Sequence, residues 1–319
     1  GLRCLRSAKK YNPVPMHNTH DPKVLPIRAG VSPSCVVLPS QGKGLLLDFL
    51  CRHLPKVARE DWLRRMLRSE VVDEFGRPAA ADTPFAAGLR YYYYRELEHE
   101  RQLPFEAEVL WQGEHLLVAD KPHFMPVVPA GQYLHGSLLV KLRQALDLPE
   151  LSPIHRIDRD TAGLVVFSVQ RATRGQYQAL FRERAISKVY EAVAPWSGDL
   201  ALPLTHLSRL EESGHFFRMH EVAGEPNSCT RIELLERAGP WARYRLEPLT
   251  GKRHQLRVHL ASLGIPIKGD KFYPQVNDPE PGDYSDPLQL LARGLSFVDP
   301  LTGLRREFES RRELSGLRG

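Results

Sequence analysis

At 319 residues the chain exceeds the length that one hydrophobic core usually serves, so two domains are expected, and its 42% hydrophobic and 26% charged residues are ordinary for a globular protein. A net charge of +6, carried far more by arginine than by lysine, suits a phosphate-bearing partner and planar bidentate contacts. No apolar run reaches the roughly 20 residues needed to cross a bilayer, Cys4, Cys35, Cys51 and Cys229 form no CxxC pair for a zinc ribbon or redox motif, and GLRCLRSAKK lacks the apolar core of a signal peptide, so a reducing, cytoplasmic setting is expected.

Residues 1–40, rich in Pro, His, Asn and Ser, predict an extended or disordered arm. From Gly42 the pattern tightens: Leu46, Phe49 and Leu50 share one helical face in a helix that ends before Pro55. AREDWLRRMLRSE predicts a second helix with Trp62, Leu63, Met66 and Leu67 inward and Arg59, Arg64, Arg65 and Arg68 outward. Short strands joined by a turn at Gly76 follow. Together these suit a small α/β RNA-binding domain over 41–98, in which Arg64, Arg65 and Arg68 contact RNA; a merely solvated arginine face is the plainer alternative. The charged stretch 95–104 reads as a linker to a domain spanning 99–319.

In that second part EVLWQGEHLLVADKP predicts strand, turn and strand, then a Pro-rich loop; GSLLVKLRQALDL predicts a helix, and GLVVFSV a buried strand. RATRGQYQALFRER predicts a helix with Tyr177, Leu180 and Phe181 inward, and SKVYEAVAPW a strand. A hairpin turns at Ala238-Gly239-Pro240, KRHQLRVHLASLG forms a short helix stopped by Gly264, and a second hairpin covers 288–309.

Three segments hold polar groups beside apolar elements: HRIDRDTAGL (155–164), SKVYEAV and LTGKRHQLRVHLASLG. Taken singly, each has a bland explanation as a loop, a core tyrosine and a helix. A metal at HQLRVH is disfavoured, because His254 and His259 are five apart and fall on different helical faces. Asp158 and Asp160 could form a glycosidase pair, but no aromatic sugar platform accompanies them.

In this order the segments resemble the pseudouridine synthases of the RluA family. HRIDRDTAGL is similar to that family's HRLDRxTSGL, VLWQGEHLLVADKP to its opening strand pair, and KVYEAVA to its K-x-Y segment. LTGKRHQLRVHLASLGIPIKGDKFY is similar to its TGR-x-HQ-R-H block and the GD-x-x-Y that follows, and LLARGLSFVDPLTG to its closing block. Residues 42–98 resemble, more weakly, an RNA-binding domain shared with a ribosomal small-subunit protein. The loop HFMPVVPAG departs from the family pattern, which bears on the target uridine rather than on the reaction.

The resemblance implies an α+β pseudouridine synthase fold: a mixed, mostly antiparallel sheet with flanking helices and a central cleft. It implies an RNA uridine isomerase whose catalytic residues are Asp158, Tyr190 and Arg257. Arg156, His155, Lys252, His254 and Gln255 would bind substrate, with Arg156 filling the space left by the flipped uridine and Tyr190 stacking on it. One glycosidic bond replaces another, so no cofactor and no metal are expected. The expected partner is RNA, ribosomal RNA ahead of transfer RNA, with no membrane and a monomeric enzyme. A non-catalytic RNA-binding or ribosome-assembly protein is the alternative.

Overall fold

The computed structural model describes residues 25–97, 99–214, 218–277 and 282–317. The chain divides into two compact units, Gly1–Glu96 and Leu97–Gly319.

In the first unit three antiparallel strands lie in the order β1 (Ser34–Val37), β3 (Arg90–Tyr93), β2 (Val71–Asp73), with helices α1 (Leu46–His53) and α2 (Arg59–Leu67) packed beside them. Leu46, Leu47 and Leu50 from α1 and Trp62 and Met66 from α2 meet Val36, Val71, Tyr91 and Tyr93 in one core. At about 1.5–3 kcal/mol per fully buried large side chain, that cluster outweighs the modest intrinsic propensity of two short helices. The arm expected over 1–40 lies partly on residues outside the described ones. From residue 25 on it is no arm: Leu25, Val31, Val36 and Leu38 are buried and β1 pairs with β3.

Helix α2 corrects the expected arginine face. Arg65 is only 5% exposed and lies 5.2 Å from the Trp62 ring centroid, whereas Leu67 is 88% exposed. A helix advances about 100° per residue, so Arg65 trails Trp62 by only about 60° and shares its inward side. Leu67 is carried round to water.

The second unit is built on an 11-stranded sheet. Its strands are β4 (Glu108–Gln112), β5 (Leu116–Lys121), β6 (Ser152–Pro153), β7 (Ala162–Ser168), β8 (Ile186–Pro195), β9 (Leu204–Glu212), β10 (Met219–Val222), β11 (Ser228–Ala238), β12 (Trp241–Pro248), β13 (Leu290–Val298) and β14 (Arg305–Glu309). The main path runs β10-β9-β11-β12-β8-β13-β7-β5-β4, with β14 on β13 and β6 on β7. Every pairing is antiparallel except β13 with β7, which makes the sheet mixed and mostly antiparallel, as expected.

β5 and β7 are apolar throughout because both their faces are covered. Leu117, Ala119, Val165 and Phe167 point toward helix α3 (Leu138–Leu146), while Leu116, Val118, Leu164 and Val166 point toward helix α4 (Arg174–Arg182) and its Tyr177. Helix α5 (Gln255–Ser262) packs Leu256 and Leu260 on the alternate inward residues of β8 and β12. Where β7 meets β13 in parallel, a Cβ on Gly163 would come within 2.3 Å of the Ala292 carbonyl oxygen, and its φ is +108°. Only glycine closes that junction. The loop that brings the chain into it, residues 154–161, carries Asp158.

Candidate active site

Asp158 is held where three segments from distant parts of the chain converge. Its side chain is 28% exposed, and Arg257 Nη1 donates to its Oδ2 at 3.2 Å. Arg257 itself is 1% exposed and committed first to another carboxylate: Nε and Nη2 donate to Asp270 Oδ2 and Oδ1 at 2.8 and 2.7 Å. Such a fork-to-fork pair fixes the guanidinium plane, leaving Nη1 to face Asp158. Burial alone would lower the Arg257 pKa, but the hydrogen bonds and charge of Asp270 reverse this and hold it above its ordinary value.

Asp270 is prepared by its own backbone. A Cβ on Gly269, at φ +76°, would come within 2.3 Å of the Pro287 carbonyl oxygen, so the chain turns there on glycine. The amides of Phe272 and Tyr273 donate to Asp270 Oδ1 at 2.8 and 3.1 Å. The rings of Phe272 and Tyr273 flank the guanidinium at 5.0 and 5.5 Å. Asp270 was not among the expected site residues, although its GD lies inside a segment that carries the family resemblance. A carboxylate spaced thirteen residues from its arginine gives no local periodic signal.

His254 caps α5 from the left-handed region, with φ +54°. The Met219 amide donates to the Tyr273 hydroxyl oxygen at 2.8 Å, and that hydroxyl lies 2.9 Å from His254 Nδ1. His254 Nε2 lies 3.9 Å from Asp158 Oδ2. Burial lowers the His254 pKa, with nearby Asp158 opposing. Tyr190, half-buried on β8, has its phenol pushed above its ordinary value by burial and then by the charge of Asp158. Arg156 is exposed and hydrogen-bonds to none of the described residues. Lys252 is exposed, and its backbone amide donates to Gln255 Oε1 at 3.1 Å.

Two expected substrate ligands are placed elsewhere. His155 Nε2 accepts from the Val166 amide at 3.0 Å and its ring stacks on Phe181 at 4.5 Å; burial pushes its pKa down to about 3, so it pins the loop to β7 as a neutral ring. Gln255 is 4% exposed and fully engaged: Oε1 accepts from the Thr250 hydroxyl and the Lys252 amide, while Nε2 donates to the Cys229 carbonyl and Thr230 Oγ1. It ties α5 to β11.

Asp160 is not a second free carboxylate. Its side chain accepts from Arg159 Nε at 2.8 Å, and its carbonyl faces His123 Nδ1 at 2.7 Å. Below the same loop Lys121 is fully buried and donates to the carbonyls of Pro122, Met125 and Arg159 at 2.9, 2.7 and 2.9 Å. Burial lowers its pKa to about 7. Three acceptors around one nitrogen match the three donors of an ammonium, and the geometry favours the charged form.

His254 and His259 share no hydrogen-bond partner among the described residues: His254 meets Tyr273, whereas His259 meets Thr230, Ser228 and Ser208. Among the described residues His259 lies instead near His206 and Glu221, a grouping of metal-ligand type. Its ring is already engaged, with Nδ1 3.0 Å from Thr230 Oγ1 and Nε2 3.0 and 3.1 Å from the Ser228 and Ser208 hydroxyls. His206 Nε2 lies 2.8 Å from Glu221 Oε1. A metal would have to displace these bonds, so the donors fit a hydrogen-bonded anchor better than a metal centre.

In Arg64, Arg65 and Arg68 the structure separates what the sequence grouped. Arg64 pairs with Asp61 at 2.5 Å, Arg68 is exposed, and Arg65 is buried with its Nη2 3.6 Å from Glu96.

Residues 115–262 match the family described as RNA pseudouridylate synthase. The chain is 31% identical over 223 residues to the dual-specificity RNA pseudouridine synthase RluA of Haemophilus influenzae, covering 67% of this chain and 97% of that protein. It is 32% identical over 211 residues to the protein of the same name from Escherichia coli, covering 63% and 91%. Among solved structures, human RNA pseudouridylate synthase domain containing 4 superposes with a TM-score of 0.51 at 25% identity, over 64% of this chain and 88% of that one. Human RNA pseudouridylate synthase domain containing 1 does so at 0.55 and 22% identity, over 67% and 86%, and shares the fold.

Proposed function

The chain belongs to the RNA pseudouridylate synthase family, and from that premise we propose that Asp158, set against Arg257, starts the conversion of a flipped-out uridine to pseudouridine in structured RNA. The observation that carries this reading is the 3.2 Å contact between Arg257 Nη1 and Asp158 Oδ2, with the rest of that guanidinium clamped by Asp270. A carboxylate so aimed can act as nucleophile or base while the bond from ribose to the uracil nitrogen breaks. The ring then rejoins the sugar through carbon, and the proton displaced from that carbon is matched by one taken up at the freed ring nitrogen. Atoms and electrons balance within the nucleotide.

Arg156, exposed and unengaged, fills the gap left in the RNA stack. Tyr190 stacks on the extruded ring; burial and the charge of Asp158 raise its phenol pKa, so it enters the step protonated and takes the ring proton only as it hands its own to another acceptor. Lys252 and His254 line the entrance. The small unit adds phosphate contacts through Arg64 and Arg68. Ribosomal RNA is the favoured target and transfer RNA the alternative, in the cytoplasm, by a monomer that uses no cofactor or metal.

Asp158→Asn keeps the shape and loses the charge. It should bind RNA within about twofold of wild type while pseudouridine formation falls by about 10³-fold. Formation at the wild-type rate would refute the role of Asp158. Mapping pseudouridines in total RNA from cells with and without this gene identifies the target; the competing non-catalytic reading expects no site to vanish.

A further inference from the structure

Of the residues in the K-x-Y segment, only the tyrosine has a role so far. Lys188 lies two residues before Tyr190 on β8, hence on the same side of the strand. It is half-buried, yet no carboxylate or carbonyl among the described residues takes its ammonium. Other buried cations of this unit are engaged: Arg257 holds two aspartates, Arg293 holds Glu191 and Glu313, and Lys121 holds three carbonyls. The charged neighbour felt by Lys188 is another cation, Arg184, and it lies near the neutral ring of His155. A cation shielded from water, beside a second cation and without an acid, favours an arriving anion.

The ammonium reaches the bare main chain of Gly251: a Cβ built there would lie in ordinary contact with Lys188 Nζ, at 3.9 Å, and would meet nothing else within 4 Å. Gly251 precedes Lys252 and stands three residues before His254, and Tyr190, on the same side of β8 as Lys188, feels the charge of Asp158.

We propose that Lys188 seats a backbone phosphate of the RNA, next to the uridine that enters beside Asp158, on its ammonium where that group emerges beside the bare main chain of Gly251. The proposal rests on the RNA-modifying reading above. The phosphate replaces the missing acid and fixes the register of the strand, which base stacking on Tyr190 alone does not.

The test uses the full chain and a fluorescently labelled RNA stem-loop with a uridine-bearing loop. Lys188→Met should weaken binding about tenfold near physiological salt and reduce the slope of log affinity against log salt by roughly 0.7–0.9, one phosphate contact. Lys188→Arg should restore the slope, and Asp158→Asn should leave it intact. Independently of any variant's folding, a neutral methylphosphonate placed at one of the linkages flanking the modified uridine should weaken wild type tenfold and Lys188→Met no further. Wild-type affinity and slope in Lys188→Met, or equal weakening of both proteins at every flanking linkage, would overturn the phosphate seat. Pseudouridine formation is scored separately: a wild type that shows the Lys188-dependent slope but makes no pseudouridine sinks the role of Asp158 and spares that of Lys188.

Discussion

The guanidinium of Arg257 is shared unequally. Asp270 takes two of its edges at 2.7 and 2.8 Å and Asp158 takes what remains at 3.2 Å, so the deeper carboxylate is the one that sets geometry. Asp270→Ala leaves a buried guanidinium with half its counter-charge, and we expect a loss of about 3–5 kcal/mol in urea unfolding. Asp270→Asn keeps the shape; it should fold, bind RNA normally and lose about 10²-fold in turnover, because a displacement of the order of 1 Å at the reacting group is enough for that. A single-turnover assay beside an affinity measurement separates the two effects. Tyr190→Phe retains the ring face and removes the hydroxyl. It should keep RNA affinity within about twofold and lose about 10²-fold in rate if the phenol carries the proton, whereas an unchanged rate would confine Tyr190 to stacking.

At the scale of elements, α2 shows how a helix face misleads. Arginines at 59, 64, 65 and 68 read as one polar stripe, but Trp62 and Met66 define the inward direction, and Arg65 lies beside them with Nε and Nη1 unmatched. Arg64→Gln with Arg68→Gln should therefore flatten the salt dependence of RNA binding, while Arg65→Met should leave that slope unchanged and keep the unfolding midpoint at or above wild type, since apolar packing replaces a buried guanidinium with two unmatched nitrogens and only a long, 3.6 Å pair to Glu96. A reduced slope in Arg65→Met would place that side chain at the RNA after all. Strands β9 and β10 went unread in the sequence for a related reason. The inward side of β9 carries Ser208 and half-buried His206 while Leu207 is 58% exposed, so its apolar alternation is scrambled. Those inward polar groups meet His259 of α5, a helix buried all round, whose Gln255 and His259, one turn apart, both reach Thr230.

For the whole molecule, buried neutral histidines couple stability to pH. Burial lowers the pKa of His123, His155, His254 and His259, to about 3 for His155 and about 4 for His259. The unfolded chain takes up protons near the ordinary value of 6.5 that the folded chain refuses, so their contribution is present above pH 6.5 and is lost as pH falls toward 4. Each fully mismatched histidine adds a slope of about 1.4 kcal/mol per pH unit. Urea midpoints should thus fall steadily from pH 6.5 to 4.5, and His259→Gln, whatever its own stability, should show a shallower fall by about one proton. A flat profile in wild type would mean that these rings gain protons without unfolding.

The sequence by itself determined the elements whose apolar residues repeat at the spacing of a helix or strand: α1, α3, α4, the β4–β5 pair and the two long hairpins. It also singled out the segments proposed to hold the chemistry, because Asp158, Tyr190 and Arg257 each sit in a run of distinctive residue types. Such patterns are local, since they record which neighbours within four positions share a face. Only the tertiary structure decided that Arg257 answers first to Asp270, that Gln255 and His155 hold the frame rather than a ligand, that Arg65 turns inward, and that Lys188 is left without an acid. Most of those outcomes depend on groups that meet beyond the reach of a helical or strand period, 13 residues apart for Arg257 and Asp270 and 26 for Gln255 and Cys229, where charge pairing, burial and the close approach of backbone at Gly163 and Gly269 are settled by packing.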